Sequence, residues 1–130
     1  TQNKVPVKML GGGYNLLVRD DPVPGVVIRL AGEAFAFVES SGNTVRCGGG
    51  TPMFDLLAHA VKAGLGGLET LVGIRGTVGG SVRCNVGDRA GEIGACVRRV
   101  VVLHDDGSEH ARTRDQLTFG EHSSDLTEPV

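Results

Sequence analysis

Three consecutive glycines interrupt an otherwise apolar stretch in VPVKMLGGGYNLLV, residues 5–18. Glycine surrenders more conformational freedom on folding than any other residue, so a run of three weakens any strand or helix that contains it. The feature repeats. Glycine supplies 21 of the 130 residues, and these gather at 11–13, 48–50, 64–67 and 73–80. A flexible linker would also be rich in Ser and Pro and poor in Val and Leu, and this chain is not. Bare backbone set between apolar runs implies a main chain shaped around something that passes close to it.

The remaining composition bounds what that something is. At 130 residues, with 40% hydrophobic and 22% charged residues, the chain is long enough for one domain with a real core. A net charge of -2 offers no basic footprint for nucleic acid. No apolar run approaches the length of about 18 residues that a membrane span needs, and the N-terminal segment does not resemble a signal peptide. The expected location is cytoplasmic, with neither nucleic acid nor membrane as a partner. Cys47, Cys84 and Cys96 are too widely spaced for a zinc site or a disulfide framework, and they read as reduced, mostly buried thiols. His59, His104, His110 and His122 show no ligand spacing either, so no metal is expected.

Along the chain, residues 5–10 read as a strand ending at the glycines, residues 16–18 continue extended, and VVIRL (26–30) is a β-branched strand. FAFVES and TVRCG flank SGN (41–43) as a hairpin. Thr51 is the expected N-cap of a helix with Pro52 at its first position; Leu56, Leu57, Ala60, Val61 and Ala63 recur at helical spacing, and Gly64 ends it. GGLETLVGIRGTVGG (66–80) suits neither a strand nor a long helix, and short helical turns are expected at 68–71 and from about Gly76. A strand at 100–103, a turn at 105–107, a returning strand and a brief helix at 114–117 follow. Repeated βαβ alternation is missing, which predicts an α+β fold.

A strand that runs into consecutive glycines can present several backbone N–H groups to one anion, diphosphate being the usual guest. The Walker pattern does not fit, because Gly13 is followed by Tyr14 and Asn15 rather than Lys and Ser/Thr. A dinucleotide fingerprint should open a helix, whereas this segment runs into a turn at Asp20, Asp21 and Pro22. The second cluster, GIRGTVGGSVRCN (73–85), adds Gly73, Gly76, Gly79, Gly80, the hydroxyl of Thr77 and a terminal Asn85. Two glycine-lined stretches can cradle a long, flat, phosphate-bearing ligand. The alternative is that each is a tight turn or a close packing contact with no ligand at all.

Together, VKMLGGGYNLLV, GLETLVGIRGTVGGSVRCNVGDRAGEI and VVVLHDDG resemble the flavin-binding part of the UDP-N-acetylenolpyruvoylglucosamine reductase family over nearly all of residues 5–124. The resemblance implies the FAD-binding fold of the vanillyl-alcohol-oxidase (PCMH) type, two small α+β subdomains at 1–50 and 51–130. It implies FAD as cofactor, NADPH as co-substrate, and reduction of the enolpyruvyl double bond of a UDP-sugar for peptidoglycan. By the same resemblance, Gly11, Gly12, Gly13, Tyr14, Asn15 and Leu16 would wrap the pyrophosphate, where a Cβ on the glycines would strike phosphate oxygens. Gly73, Ile74, Gly76, Thr77, Gly79 and Gly80 would line its other side, and Asn85, Gly87, Gly91 and Ile93 would approach the ring systems, largely through backbone.

Departures from the family pattern accompany it. Arg75 stands where the family has proline, and Arg89 where it has an aromatic residue. In FGEHSSDL (119–126), Glu121 occupies the tyrosine position, His122 the arginine position, and Ser124 matches the serine. His122 is therefore the candidate catalytic residue, a weaker and titratable donor with a reference pKa of about 6.5. The family carries a further strand and helix before this segment and a substrate-binding domain after it. A truncated chain with an unpaired, self-associating edge at residues 5–10 is expected. The alternative function is a non-catalytic flavin- or nucleotide-binding module that has lost the reductase chemistry.

Overall fold

The computed structural model describes residues 5–104, 106–128 and 130. Its first two strands, β1 (Val7–Leu10) and β2 (Val26–Arg29), run parallel, with Val7 opposite Val26 and Leu10 opposite Arg29. Parallel neighbours need a connection that returns the full length of the strand. The glycines and the RDDPVPG turn supply that return, so Gly11 lies at the C-terminal end of β1. The expected extension at 16–18 forms no strand; Leu16, Leu17 and Val18 are exposed. The sheet stops at two strands among the described residues, and Val7, Val26, Val27 and Ile28 stay about half exposed. Residues 5–10 are thus paired along one side by β2.

β3 (Val38–Ser41) and β4 (Thr44–Cys47) form the expected hairpin, with Ser41 opposite Thr44 and Gly42 supplying a positive φ of 56° at the turn. The main helix, α1 (Met53–Lys62), follows. Its N-cap is Pro52, and no side chain caps it, a correction to the Thr51 expectation. Thr51 is buried, and its hydroxyl donates instead to the Phe37 carbonyl at 3.0 Å, tying the helix start to the hairpin. At the other end Gly64 takes φ +66°. Its N–H donates to the Val61 carbonyl and that of Leu65 to the Ala60 carbonyl, a Schellman closure. Met53, Leu56 and Ala60 face the core, whereas Val61 and Ala63 of the predicted stripe face out.

A 3-10 turn (Glu69–Leu71) and α2 (Val78–Arg83) realise the two expected helical turns. Two-residue strands β5 (Gly87–Asp88) and β6 (Gly91–Glu92) pair antiparallel, and a second 3-10 turn follows at Ile93–Ala95. The hairpin of β7 (Arg99–Leu103) and β8 (Glu109–Thr113) alternates as a half-buried sheet should, with Val100 and Val102 inward. Asp105, at the expected turn, lies outside the described residues. The brief helix is a 3-10 turn, Arg114–Gln116, entered through a Thr113 and Gln116 capping box. β9 (Phe119–Gly120) and β10 (Ser123–Ser124) close the C-terminal loop.

These elements give an α+β fold. One core joins Met53, Leu56, Leu71, Val78, Val82, Ile93, Val100, Val102, Leu117 and Leu126. Val38, Val45 and Cys47 of the β3–β4 hairpin pack against it, so the hairpin leans on the elements that follow it. Burial there pushes the Cys47 thiol above its ordinary value and makes it an inert packing group.

Candidate functional site

The two glycine stretches meet. A Cβ on Gly11 would lie 2.9 Å from Thr77 Oγ1 and 3.8 Å from Gly80 Cα, and one on Gly12 would lie 3.0 Å from Gly76 Cα. At Gly11 and Gly12 the facing loop and the Tyr14 ring thus crowd out a side chain by themselves, before any ligand is considered. Gly13 differs. Nothing stands within 4 Å of its would-be Cβ, and its φ of +76° is what selects glycine. Gly73 is likewise open, at φ +84°.

Three hydrogen bonds fix the second stretch. Met53 N–H donates to the Gly76 carbonyl, Val78 N–H to Thr51, and Gly79 N–H to Gly49 at 2.8 Å. Gly79 thus contributes shape rather than a free donor; a Cβ there would meet Gly49 backbone at 3.0 Å. The first stretch is the reverse case. Among the described residues, no group accepts a hydrogen bond from the backbone N–H of Gly12, Gly13, Tyr14, Asn15 or Leu16. This loop is exposed, so its donors remain available.

Gly11, Thr77, Gly79 and Gly80 border a cleft of about 800 Å³ along β1, with Lys8, Arg83, His104 and Glu128 also lining it. Separately, Asn15, Ile74, Cys84, Val86, Gly87 and His122 line a hollow of about 440 Å³. Predicted residues thus gather at two hollows, Gly11, Thr77, Gly79 and Gly80 at the larger and Asn15, Ile74, Gly87 and His122 at the smaller. Asn15 also spans the junction of the two stretches, its side-chain amide donating to Cys84 Sγ at 3.5 Å. Tyr14 is exposed, its ring edge beside Gly12 and Gly76. Bare backbone, unspent N–H donors and two wall cations fit a diphosphate with a larger group at each end.

The remaining predicted residues are mostly structural on their side-chain face. Asn85 is buried and spends its whole amide within the protein, accepting from Gly94 N–H at 2.9 Å and donating to Glu92 and to the Gly120 carbonyl. Ile93 belongs to the core, and its N–H is given to the Val86 carbonyl. Gly87 is glycine because a Cβ would strike Gly91 backbone across the β5–β6 pair, whereas Gly91 itself has ordinary clearance. The side chains of Asn85 and Ile93 are thus both committed within the protein.

His122 lies at the β9–β10 turn with φ +48° and lines the smaller hollow with Asn15. The loop around it is well tied. Ser124 Oγ donates to the Arg83 carbonyl at 2.7 Å, and Arg112 bonds Asp125 and the Gln116 carbonyl. Asp125 works against some desolvation, but hydrogen bonds from Thr118 N–H and Arg112 hold its carboxyl below the usual range. Sequence reasoning gave Lys8, Arg83 and Cys84 no place in the site, since their neighbours become visible only once the chain is folded. Among the described residues, no group of three or more His, Cys, Asp or Glu is placed to hold a metal, and no helix is long and apolar enough to cross a membrane.

Known proteins resemble this chain in sequence and fold. A UDP-N-acetylenolpyruvoylglucosamine reductase of Clostridium botulinum (strain Alaska E43 / Type E3) is 39% identical over 95% of this chain and 40% of its own length. The Maricaulis maris (strain MCS10) protein of the same name is 45% identical over 92% of this chain and 38% of its own. The crystal structure of the reductase (MurB) from Thermus caldophilus superimposes with a TM-score of 0.81 at 42% identity, covering 95% of this chain and 45% of that one. The chain spans less than half the length of these relatives. The FAD binding domain family matches residues 1–111, and with the glycine junction already in view, the chain belongs to that family.

Proposed function

We propose that this chain is the cofactor-holding part of a longer, NADPH-dependent UDP-N-acetylenolpyruvoylglucosamine reductase acting in cytoplasmic peptidoglycan precursor synthesis. The observation that carries the reading is the convergence of Gly11–Gly12 on Gly76–Thr77, beside a loop whose N–H groups at 12–16 are unspent. The named relatives are reductases of that title, and they support the activity.

In this reading the loop 11–16 and Thr77, Gly79 and Gly80 hold the diphosphate of FAD. Ile74, Gly76, Gly87 and the backbone near Asn85, Gly91 and Ile93 border its ring systems. FAD, when bound, supplies hydride transfer. The protein's own contribution is placement: backbone donors orient the diphosphate, Lys8 and Arg83 offset its charge, and the hollow beside Asn15 shields one ring system from water. His122 offers a proton or a hydrogen bond at that hollow. In this reading residues 1–50 and 51–130 are two subdomains, and the β3–β4 hairpin is the part of the first that packs on the second. The UDP-sugar would be met through a further domain of the longer protein.

The test is a flavin titration followed by turnover. FAD added to the apo chain should lose fluorescence and gain a perturbed visible spectrum; an unperturbed spectrum at saturating protein would refute cofactor binding. In the full-length protein, NADPH should bleach the flavin and the enolpyruvyl UDP-sugar should restore its colour. A second reading, a flavin-binding module without reductase chemistry, is favoured by Glu121 and His122 standing at the tyrosine and arginine positions. It predicts that bleaching or recolouring fails while FAD still binds.

A further inference from the structure

We propose that Glu92 is a positioning residue, holding the left-handed turn at His122 so that this residue borders the smaller hollow. The proposal rests on the flavin reading for its functional meaning, and on the fold alone for its geometry. Among the described residues only Asn85 (φ +45°) and His122 (φ +48°) are non-glycine residues at positive φ. Such backbone is disfavoured once a Cβ is present and persists where the surroundings hold it. Both residues are addressed to the same carboxylate. Asn85 Nδ2 donates to Glu92 Oε2 at 2.5 Å, and His122 N–H points at Glu92 Oε1 at 3.5 Å.

The polarity of this arrangement is determined. Gly94 N–H claims Asn85 Oδ1, so the Asn85 amide must donate from Nδ2, to Glu92 and to the Gly120 carbonyl. Glu92 is itself fixed, its backbone paired with Gly87 across β5–β6. An ionised carboxylate accepts at both oxygens and so satisfies a donor on each side. A glutamine could not, since its amide nitrogen would face one of the two donors. The 3.5 Å separation is long for an ordinary N–H···O bond; the carboxylate's charge, facing a backbone N–H, carries the interaction. With that charge removed, β9 and β10 keep their ladder and their ties to Asn85 and Arg83, but the His122 N–H at the turn itself loses its acceptor, and His122 relaxes away from Asn15.

The experiment uses the isotopically labelled 130-residue chain, wild type against Glu92→Gln, with and without FAD. In the free chain the His122 amide should exchange on the order of tenfold faster in Glu92→Gln, with core amides of α1 and β7 unchanged. In wild type, added FAD should shift the His122 imidazole resonances. In Glu92→Gln that shift should vanish although fluorescence quenching shows FAD still bound. An unchanged His122 amide rate, or an undiminished imidazole shift, overturns the proposal. Should Glu92→Gln not fold, the double variant Glu92→Gln/His122→Gly decides. Glycine needs no holding at φ +48°, so recovered folding supports the role and continued failure overturns it. If wild type does not bind FAD at all, the flavin reading fails while the amide rate still judges the positioning.

Discussion

At the scale of single residues, glycine is selected for two different reasons at adjacent positions. Gly12 is glycine because Gly76 Cα and the Tyr14 ring lie about where its side chain would go, whereas Gly13 has open space and a positive φ. The two alanine variants should therefore fail differently. Gly13→Ala should cost about 1 kcal/mol of stability through backbone strain, with the cleft kept. Gly12→Ala should push the two loops apart at about 1–3 kcal/mol and weaken FAD binding more than its stability loss explains. Thermal melts paired with flavin titrations distinguish them; equal effects on both readouts would show that the junction is not a packed contact. None of this distinction was legible in the string GGG, which says only that three side chains are missing.

Elements were legible where their physics is local. The stripe of Leu56, Leu57 and Ala60 with Gly64 behind it marked α1, and the β7–β8 hairpin announced itself by alternation around a turn. Thr51 departs from the cap expected of it because a cap residue and a bridging residue look alike in sequence; its buried hydroxyl donates to the Phe37 carbonyl instead. The parallel pairing of β1 with β2 was hidden, since register across a long connection leaves no local mark. The C-terminal loop illustrates how elements are fastened. Asp125 accepts from Thr118 N–H and Arg112 Nη2, at 3.1 and 2.5 Å, and keeps a lowered carboxyl pKa despite partial desolvation. A folded-state value below the ordinary 3.8 means the stabilising contribution is complete above that value and is lost as pH falls through the lower folded one. Acid titration followed by NMR should show β9 and β10 loosening in that acid range, ahead of the core. Asp125→Asn should remove the pH step while costing no more than about 1 kcal/mol at neutral pH, the pair being partly exposed.

For the whole molecule, the α+β class followed from element order, and the grouping of the candidate site followed from two separated motifs. The division of their roles did not. Which backbone donors are spent inside the protein, as at Gly79, and which remain free, as at 12–16, depends on partners far away in sequence. A ligand that engages both lips of the junction also joins the β1–β2 sheet to the main core. FAD at a hundredfold excess over its Kd should stabilise the chain by about 2.7 kcal/mol, a rise in melting temperature on the order of 10 °C. Calorimetry with and without FAD measures it, and a melting temperature indifferent to FAD would count against the junction as the binding locus.

The contact between the Gly11 backbone and the Thr77 hydroxyl carries a consequence for inheritance. An oxygen 2.9 Å from where a methyl group would grow makes these two distant codons a single unit of change. Alanine at 11 should be tolerated only in company with a smaller residue at 77, so that Gly11→Ala and Thr77→Gly, each harmful alone, partly restore one another when combined. Lineages that drift at one lip of the cleft would have to drift at the other.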